Sequence, residues 1–358
     1  MMDKRFTQVA LVFFTLSAWG LIVSSKLPIW LLLAFVGLTA SLPLEAKDAT
    51  AKSTIFSSTS FWYQAIPVDV QLHANSSNFV KEFMRQKSAY YGHVNINLTS
   101  FSSPIYYAED STKKVKVTQW DCQHKGFKDK SLAEQWAQVP IPEHAVPAKG
   151  SDAEMTVYHP STDTLWEFWR MQKQEGEWQA CWGGRMINAS KNEGVFNSFY
   201  GTTATSLPFI GGQITAEELK SGEINHVIGI SLVDIEKSSI FSWPAHRSDG
   251  YNPNKAPNRI PEGLRFRLDP TVNVDALKMH PIGKIIAKAA QKYGFVVWDK
   301  AGAISLRVQN PYSYMDSKQL NQLVNPYDAL FAGTNTYAIL DGFPWGKLEF
   351  LPMNYGKP

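Results

Sequence analysis

Short segments of alternating hydrophobicity, each closed by Gly, Pro, Asp, Asn or Ser, run through most of this chain and predict sheet. They fall at Val115–Gln123, Glu154–His159, Thr164–Met171, Glu177–Trp182, Asn225–Leu232, Leu264–Leu268, Phe295–Trp298 and Ile304–Val308. Helical signals are few. Phe79, Val80, Phe83 and Met84 show helical spacing within Ser77–Lys87. Thr215 and Glu218 fit a capping box ahead of a stop at Gly222. Pro281–Tyr293 has Pro at its start, an Ile282, Ile285, Ile286, Ala289 stripe and Gly294 just beyond. Many short strands with isolated helices predict a mainly β fold, a β-sandwich or jelly roll decorated with a few peripheral helices.

The N-terminus sets a second constraint. Lys4 and Arg5 precede an uncharged stretch, Phe6 to Ser25, and a second apolar run follows Lys26 from Leu27 to Leu44. A basic start, an apolar run and small residues near a cut describe a secretory signal, with the cut after Ala40 or Ala46. About 20 apolar residues also suffice to span a bilayer, so an uncleaved hairpin anchor is the other reading. Residues 1–46 are therefore expected to be a signal peptide or membrane anchor, and 47–358 a single secreted, periplasmic or cell-surface domain. A membrane partner is expected only through an uncleaved leader. The whole chain carries a net charge of +3, and its leader holds three basic and two acidic residues. The near-neutral remainder lacks the basic footprint that nucleic acid requires.

The sequence has two cysteines, Cys122 and Cys181. In an oxidising compartment an isolated pair predicts one disulfide, which by the chain-entropy argument stabilises by about 4 kcal/mol.

The region Asp152 to Arg185 reads as a three-stranded meander with turns at His159–Thr164 and Glu175-Gly176. The expected register sets Tyr158 opposite Glu167 and Thr156 opposite Trp169 in the first hairpin. The second sets Trp169 opposite Trp182 and Lys173 opposite Trp178. Alternation then puts Glu154, Thr156, Tyr158, Glu167, Trp169, Lys173, Trp178 and Trp182 on one face. Met155, Val157, Trp166, Phe168 and Cys181 form the opposite, core face. Carboxylates among indoles suit a sugar, whose hydroxyls meet acids and whose C–H faces meet rings. The 12 tryptophans of the chain agree with that reading.

Glycoside hydrolysis needs two carboxyls about 5 to 9.5 Å apart. In the expected register Glu154 and Glu167 stand roughly 13 Å apart, so a partner must come from another segment. Ala245-His-Arg-Ser-Asp-Gly250 offers His246, Arg247 and Asp249 on one loop, and His226 opens a strand. The candidate catalytic residues are accordingly Asp152, Glu154, Glu167, His226, His246 and Asp249. The candidate substrate-binding residues are Tyr158, Trp169, Trp178, Trp182, Arg185 and Arg247. For hydrolysis the pair would be Asp152, Glu154 or Glu167 with Asp249. For β-elimination His246 or His226 would be the base, with Arg247 or Arg185 neutralising a uronate.

Other motifs exclude more than they add. No Gly-x-Ser-x-Gly elbow, His-Glu-x-x-His, Walker A or Rossmann fingerprint is present. Asp249-Gly-Tyr-Asn252-Pro-Asn254 spaces oxygen ligands as calcium loops do but lacks the EF-hand pattern, and reads as a turn. No cofactor is expected, calcium being the weak option. Arg265 and Arg267 alternate on one segment and read as a structural ion-pair edge.

Several segments, among them Ile66-Pro67, Val139-Pro-Ile-Pro142, Gly150-Ser-Asp152, Trp166-Glu-Phe-Trp169, Arg247-Ser-Asp-Gly250, Pro261-Glu-Gly263 and Tyr293-Gly294 with Asp299, carry a resemblance over Ser60–Asp299. The chain there resembles a set of secreted bacterial proteins. That resemblance implies a secreted domain and draws Asp152 and Asp249 forward as candidates. The expected function is a secreted glycan-active enzyme that cleaves a polysaccharide by hydrolysis or β-elimination. The alternative is a non-catalytic glycan-binding or cell-surface adhesion module.

Overall fold

Ten short strands form the two main sheets of the structure, a computed structural model that describes residues 54–315, 323 and 325–358. In chain order the first strands are β1 (Asn95–Asn97), β2 (Ile105–Tyr107), β3 (Lys114–Val115), β4 (Val117–Gln119), β5 (Val139–Pro140), β6 (Met155–His159) and β7 (Thr164–Trp169). There follow β8 (Gln172–Gln174), β9 (Glu177–Ala180), β10 (Trp182–Ile187), β11 (Ile228–Leu232) and β12 (Arg265–Leu268). The last are β13 (Phe295–Lys300), β14 (Ser305–Arg307) and β15 (Leu348–Phe350). The helices used below are α1 (Ser76–Ala89), α2 (Lys130–Gln135), α3 (Phe209–Gly212), α4 (Ala216–Ser221) and α5 (Pro281–Lys292).

The larger sheet has the order β1-β14-β11-β13-β12-β15, and the second the order β10-β7-β6-β2. A three-stranded sheet, β4-β9-β8, and a two-stranded one, β3-β5, complete the set. The fold is β-rich, as expected. The pairs β1·β14, β11·β13, β2·β6 and β4·β9 are parallel, which departs from the antiparallel pattern of a jelly roll. The expected leader lies outside the described residues, and Lys52–Pro358 cluster as one unit.

Alternation sorts the large sheet's faces. Ile96, Ile230, Leu306, Phe266, Phe295, Val297 and Phe350 point to one core, closed by Phe79 and Phe83 of α1 and by Ile282 and Ile286 of α5. The predicted stripe of Pro281–Tyr293 thus does what its spacing implied, with Ile285 half-buried at the margin. Burying one such Phe or Ile stabilises by about 2 kcal/mol. The capping box at Thr215 and Glu218 is also present. A second core joins the two main sheets: Val296 and Trp298 of β13 meet Tyr158, Leu165 and Met186 of the smaller sheet. Gly229 is required there, because a Cβ at that position would lie 2.2 Å from the Trp298 ring. A third core lies on the far face of the smaller sheet, where Met155, Val157, Trp166 and Phe168 pack with Leu132 and Trp136.

Cys122 and Cys181 are joined, with Cα atoms 5.6 Å apart. No helix among the described residues is long and apolar enough to cross a membrane.

Candidate active site

The meander's second hairpin follows the expected register, with Trp169 opposite Trp182 and Lys173 opposite Trp178. Its turn is Glu175-Gly176, both at positive φ (52° and 85°), as a two-residue hairpin requires. The first hairpin differs from expectation by two residues: Thr156 lies opposite Glu167 and Met155 opposite Phe168. A two-residue shift preserves parity, so Glu154, Thr156, Glu167, Trp169 and Trp182 still share a face. It also brings Glu154 to within about 7 Å of Glu167 along the strands, which removes the distance objection to that pair. The position of Glu167 removes the pair instead, because it does not line the cleft described below and its oxygens are taken. Glu167 is fully buried, accepting bonds from Thr156 Oγ1 (3.3 Å), Thr202 Oγ1 (2.8 Å) and the Ile210 N–H (3.3 Å). The loop carrying Thr202 comes this close because Gly184, beside Glu167, has no Cβ; one would stand 2.9 Å from Gly201 N.

The shared face looks across at the polar face of the large sheet. There Ser305 and Arg307 of β14 alternate with core Leu306, and Ser231 bonds the Trp298 indole at 3.2 Å. The β11–β13 register shifts between Ile230 and Ser231, so Ser231 lies opposite Asp299. This bulge turns Asp299 to the same side as Trp298, where regular alternation would send it away.

Arg307 joins the two sheets. Its Nη1 donates to Glu154 Oε1 at 2.9 Å and its Nη2 to Asp299 Oδ2 at 3.2 Å. The guanidinium also lies 4.5 Å from the Phe209 ring centre, on α3, and 5.7 Å from that of Trp298. Because one planar fork holds both carboxylates, their bound oxygens lie within about 9 Å of each other. Arg307 and Glu154 are almost wholly enclosed, and Asp299 keeps a little exposure. One cation facing two enclosed carboxylates leaves excess negative charge. Burial accordingly pushes Glu154 up to about 7, against the pull of Arg307 and with the help of Asp152. Burial likewise raises Asp299 to about 6. Glu154 Oε2 has no hydrogen-bond partner among the described residues.

A second acid pair adjoins the first. The Asp249 N–H donates to Glu262 Oε2 at 3.1 Å, while Glu262 Oε1 is buried with no partner among the described residues. Burial, and after it the Asp249 charge, pushes Glu262 up to about 8. Arg247 is bound to Ser206 Oγ and to the Gly201 and Thr203 carbonyls. Among the described residues no carboxylate pairs with it directly, and desolvation lowers its pKa.

Above these groups opens a cleft of about 610 Å³ lined by Asp152, Glu154, Asp249 and Asp299, with Trp169 and Trp182 as walls. The Trp169 indole donates to Asp152 Oδ1 (3.2 Å), and the Trp182 indole to the Phe199 carbonyl (3.2 Å). Trp182 also lies near-parallel to Tyr200. Flat faces and carboxylates thus point into one space.

The other expected site residues lie elsewhere. His226 is buried against Glu218, 3.3 Å away, and the Val227 carbonyl, where it serves the packing of α4. His246 is exposed and bound to the Phe196 carbonyl, outside the cleft lining. Tyr158 belongs to the inter-sheet core with its hydroxyl on Asp163, and burial raises its pKa. Trp178 is core: β9 pairs with β4 and β8, away from the sheet that holds β10, and carries Trp178 to the far side. Arg185 lies opposite Trp166 and so on the other face of the meander. The Asp249–Asn254 segment, which reads as a turn in sequence, is closed by Asn252 bonding the Ala256 N–H and carbonyl. Among the described residues no group of three or more His, Cys, Asp or Glu is placed to hold a metal ion. Asp299, Arg307 and Glu262 were not singled out by sequence; Asp299 and Glu262 lie within segments that carry the resemblance, but nothing local marks them as convergent.

Compared with known protein families, curated proteins and solved structures, the chain matches none.

Proposed function

We propose that this cleft hydrolyses a glycosidic bond by paired carboxyl chemistry. The observation that carries the reading is Arg307 holding Glu154 and Asp299, from different sheets, at the floor of a cleft walled by Trp169 and Trp182. Their shared hold on one guanidinium keeps them within about 9 Å, which is compatible with the roughly 5–9.5 Å that glycoside hydrolysis uses. Glu154, raised to about 7 by burial, keeps its proton near neutrality and serves as the acid. It gives that proton to the glycosidic oxygen as the bond to the anomeric carbon breaks. Asp299, ionised above about pH 6, takes a proton from the water that adds to that carbon. Arg307 orients both. Trp169 and Trp182 supply faces for the sugar's C–H groups. β-Elimination is the weaker reading, since neither His226 nor His246 lines the cleft. We also propose export, which the disulfide supports.

The test is incubation of the full chain with neutral and uronate-containing polysaccharides, reading reducing ends and unsaturated-uronate absorbance together. Reducing ends without absorbance are expected, with turnover lost in Glu154→Gln. Turnover that survives Glu154→Gln sinks the assignment. Binding without either signal would make the protein a glycan-binding module.

A further inference from the structure

The polar face of the large sheet does not end at Arg307. It continues across β14 and β1, where Ser305, Asn97 and Asn95 hold the positions that alternate with core Leu306 and Ile96. Over them stands a second chamber of about 820 Å³, which shares Asp152, Asp249 and Lys300 with the aromatic cleft. Together the two exceed the roughly 300–1,000 Å³ that one small molecule occupies.

The second chamber is built from other materials than the first. Tyr91, Phe101 and Tyr337 line it and are 73%, 38% and 48% exposed. His93 stands between the two tyrosine rings, 6.3 Å from Tyr91 and 5.1 Å from Tyr337. Tyr91 and Phe101 sit at φ 68° and 56°, a left-handed backbone that costs roughly 1–2 kcal/mol for a non-glycine residue. Holding exposed aromatic rings there gains the core nothing, so the strain points to a surface role. The Asn95 and Asn97 amides are oriented by bonds to each other, to Thr336 and to the Phe101 carbonyl. Amides and hydroxyls below, with rings at the walls, suit a hydroxylated ligand without charge. An anionic chain would meet Asp152 and Asp249 where the chambers join. Of the arginines that line the two chambers, Arg307 is taken by Glu154 and Asp299 and Arg247 by Ser206 and two carbonyls, which leaves Lys300 as the cation beside Asp152 and Asp249.

We infer that the two chambers are one groove, with the acid cluster at its waist, that binds an internal stretch of an uncharged polysaccharide. The inference rests on the hydrolytic reading for where the chain is cut, but not for its binding. It is tested with the full chain and a Tyr91→Ala/Tyr337→Ala double variant, whose exposed positions leave the cores intact. The probes are cello-, xylo-, manno-, malto-, laminari- and chito-oligosaccharides of three and six sugars, with binding read by calorimetry. In one series the six-sugar chain should bind at least tenfold more tightly than the three-sugar chain, and the double variant should erase that advantage. Equal affinities, no binding in any series, or an advantage that survives the double substitution would overturn the groove. Hydrolysis is scored on the same mixtures. Cleavage of internal bonds supports the inference, whereas release of single terminal sugars alone overturns it. Length-dependent binding with no cleavage upholds the groove and removes the hydrolytic reading.

Discussion

Glu167→Gln should stabilise the protein at alkaline pH and do little at acid pH. Glu167 is fully buried, and among the described residues no lysine or arginine pairs with it. Its bonds come from two hydroxyls and one main-chain N–H, which offset only part of the desolvation cost. Burial therefore raises it from 4.5 to about 7. The sign follows from proton linkage. Below about pH 4.5 the carboxyl is neutral in both folded and unfolded chains, and no penalty exists. Between about 4.5 and 7 the unfolded chain releases the proton and the folded one keeps it, so stability falls as pH rises. Above 7 the loss levels off at roughly 3 kcal/mol, because each tenfold gain in proton affinity on folding is worth about 1.4 kcal/mol. Glutamine has the same shape, does not titrate, and can donate its amide to Thr156 or Thr202. The assay is urea unfolding of wild type and variant at pH 4, 6 and 8, with the disulfide intact. The advantage of the variant should grow from pH 4 to pH 8 by about 2–3 kcal/mol. Glu154, Asp299 and Glu262 titrate in both proteins and cancel in the difference. A difference that stays flat with pH would refute the claim that Glu167 is folded in its neutral form.

Arg307→Met should cost about 3–5 kcal/mol at pH 8, because it strands two enclosed carboxylates, and less at pH 5, where both can take protons; denaturation at the two pH values checks this. Cys122→Ser/Cys181→Ser should lower stability by about 4 kcal/mol, judged by the loop of 59 residues that the bridge closes, and an unchanged urea midpoint would remove the bridge from the stability argument. If the hydrolytic reading holds, turnover should decline above about pH 7 as Glu154 loses its proton, and a rate that keeps rising to pH 9 would assign the acid role to another group.

How much of this was legible in sequence depends on the range of the interaction involved. Alternation located β6, β7, β11, β12, β13 and β14 within a few residues, because each buries one face against a core that demands period two. The Pro281 helix and the Thr215 cap were legible for the same reason: both are local agreements of pattern, start and stop. β2 and β15 were missed because no alternating run extends beyond their three residues, whereas β1 was passed over although Val94, Ile96 and Leu98 alternate with Asn95 and Asn97. Parallel pairing was missed because nothing in a strand's own residues records which neighbour the chain returns to. Trp178 was misplaced because a continuous alternating run was read as one flat strand. The chain instead leaves β9 at Ala180 and begins β10 in a different sheet at Trp182, with the disulfide at the junction.

The site follows the same logic, and its missing members were the ones that no window could show. Glu154, Trp169 and Trp182 were found because cross-strand pairing within one meander fixes their common face, and parity survived an error of two in the register. Asp299 reaches the cleft only because a bulge in the β11–β13 pairing, opposite Ile230/Ser231, reverses the direction that alternation gives it. Arg307 has the sequence surroundings of an ordinary strand residue. It becomes central because the smaller sheet packs against the larger one through Trp298 and Phe209, and so brings Glu154 to its Nη1. The carboxyl pair is therefore a property of the packing between sheets. A substitution that shifts this packing, such as Gly229→Ala beneath Trp298, should disturb the pair without touching any member of it.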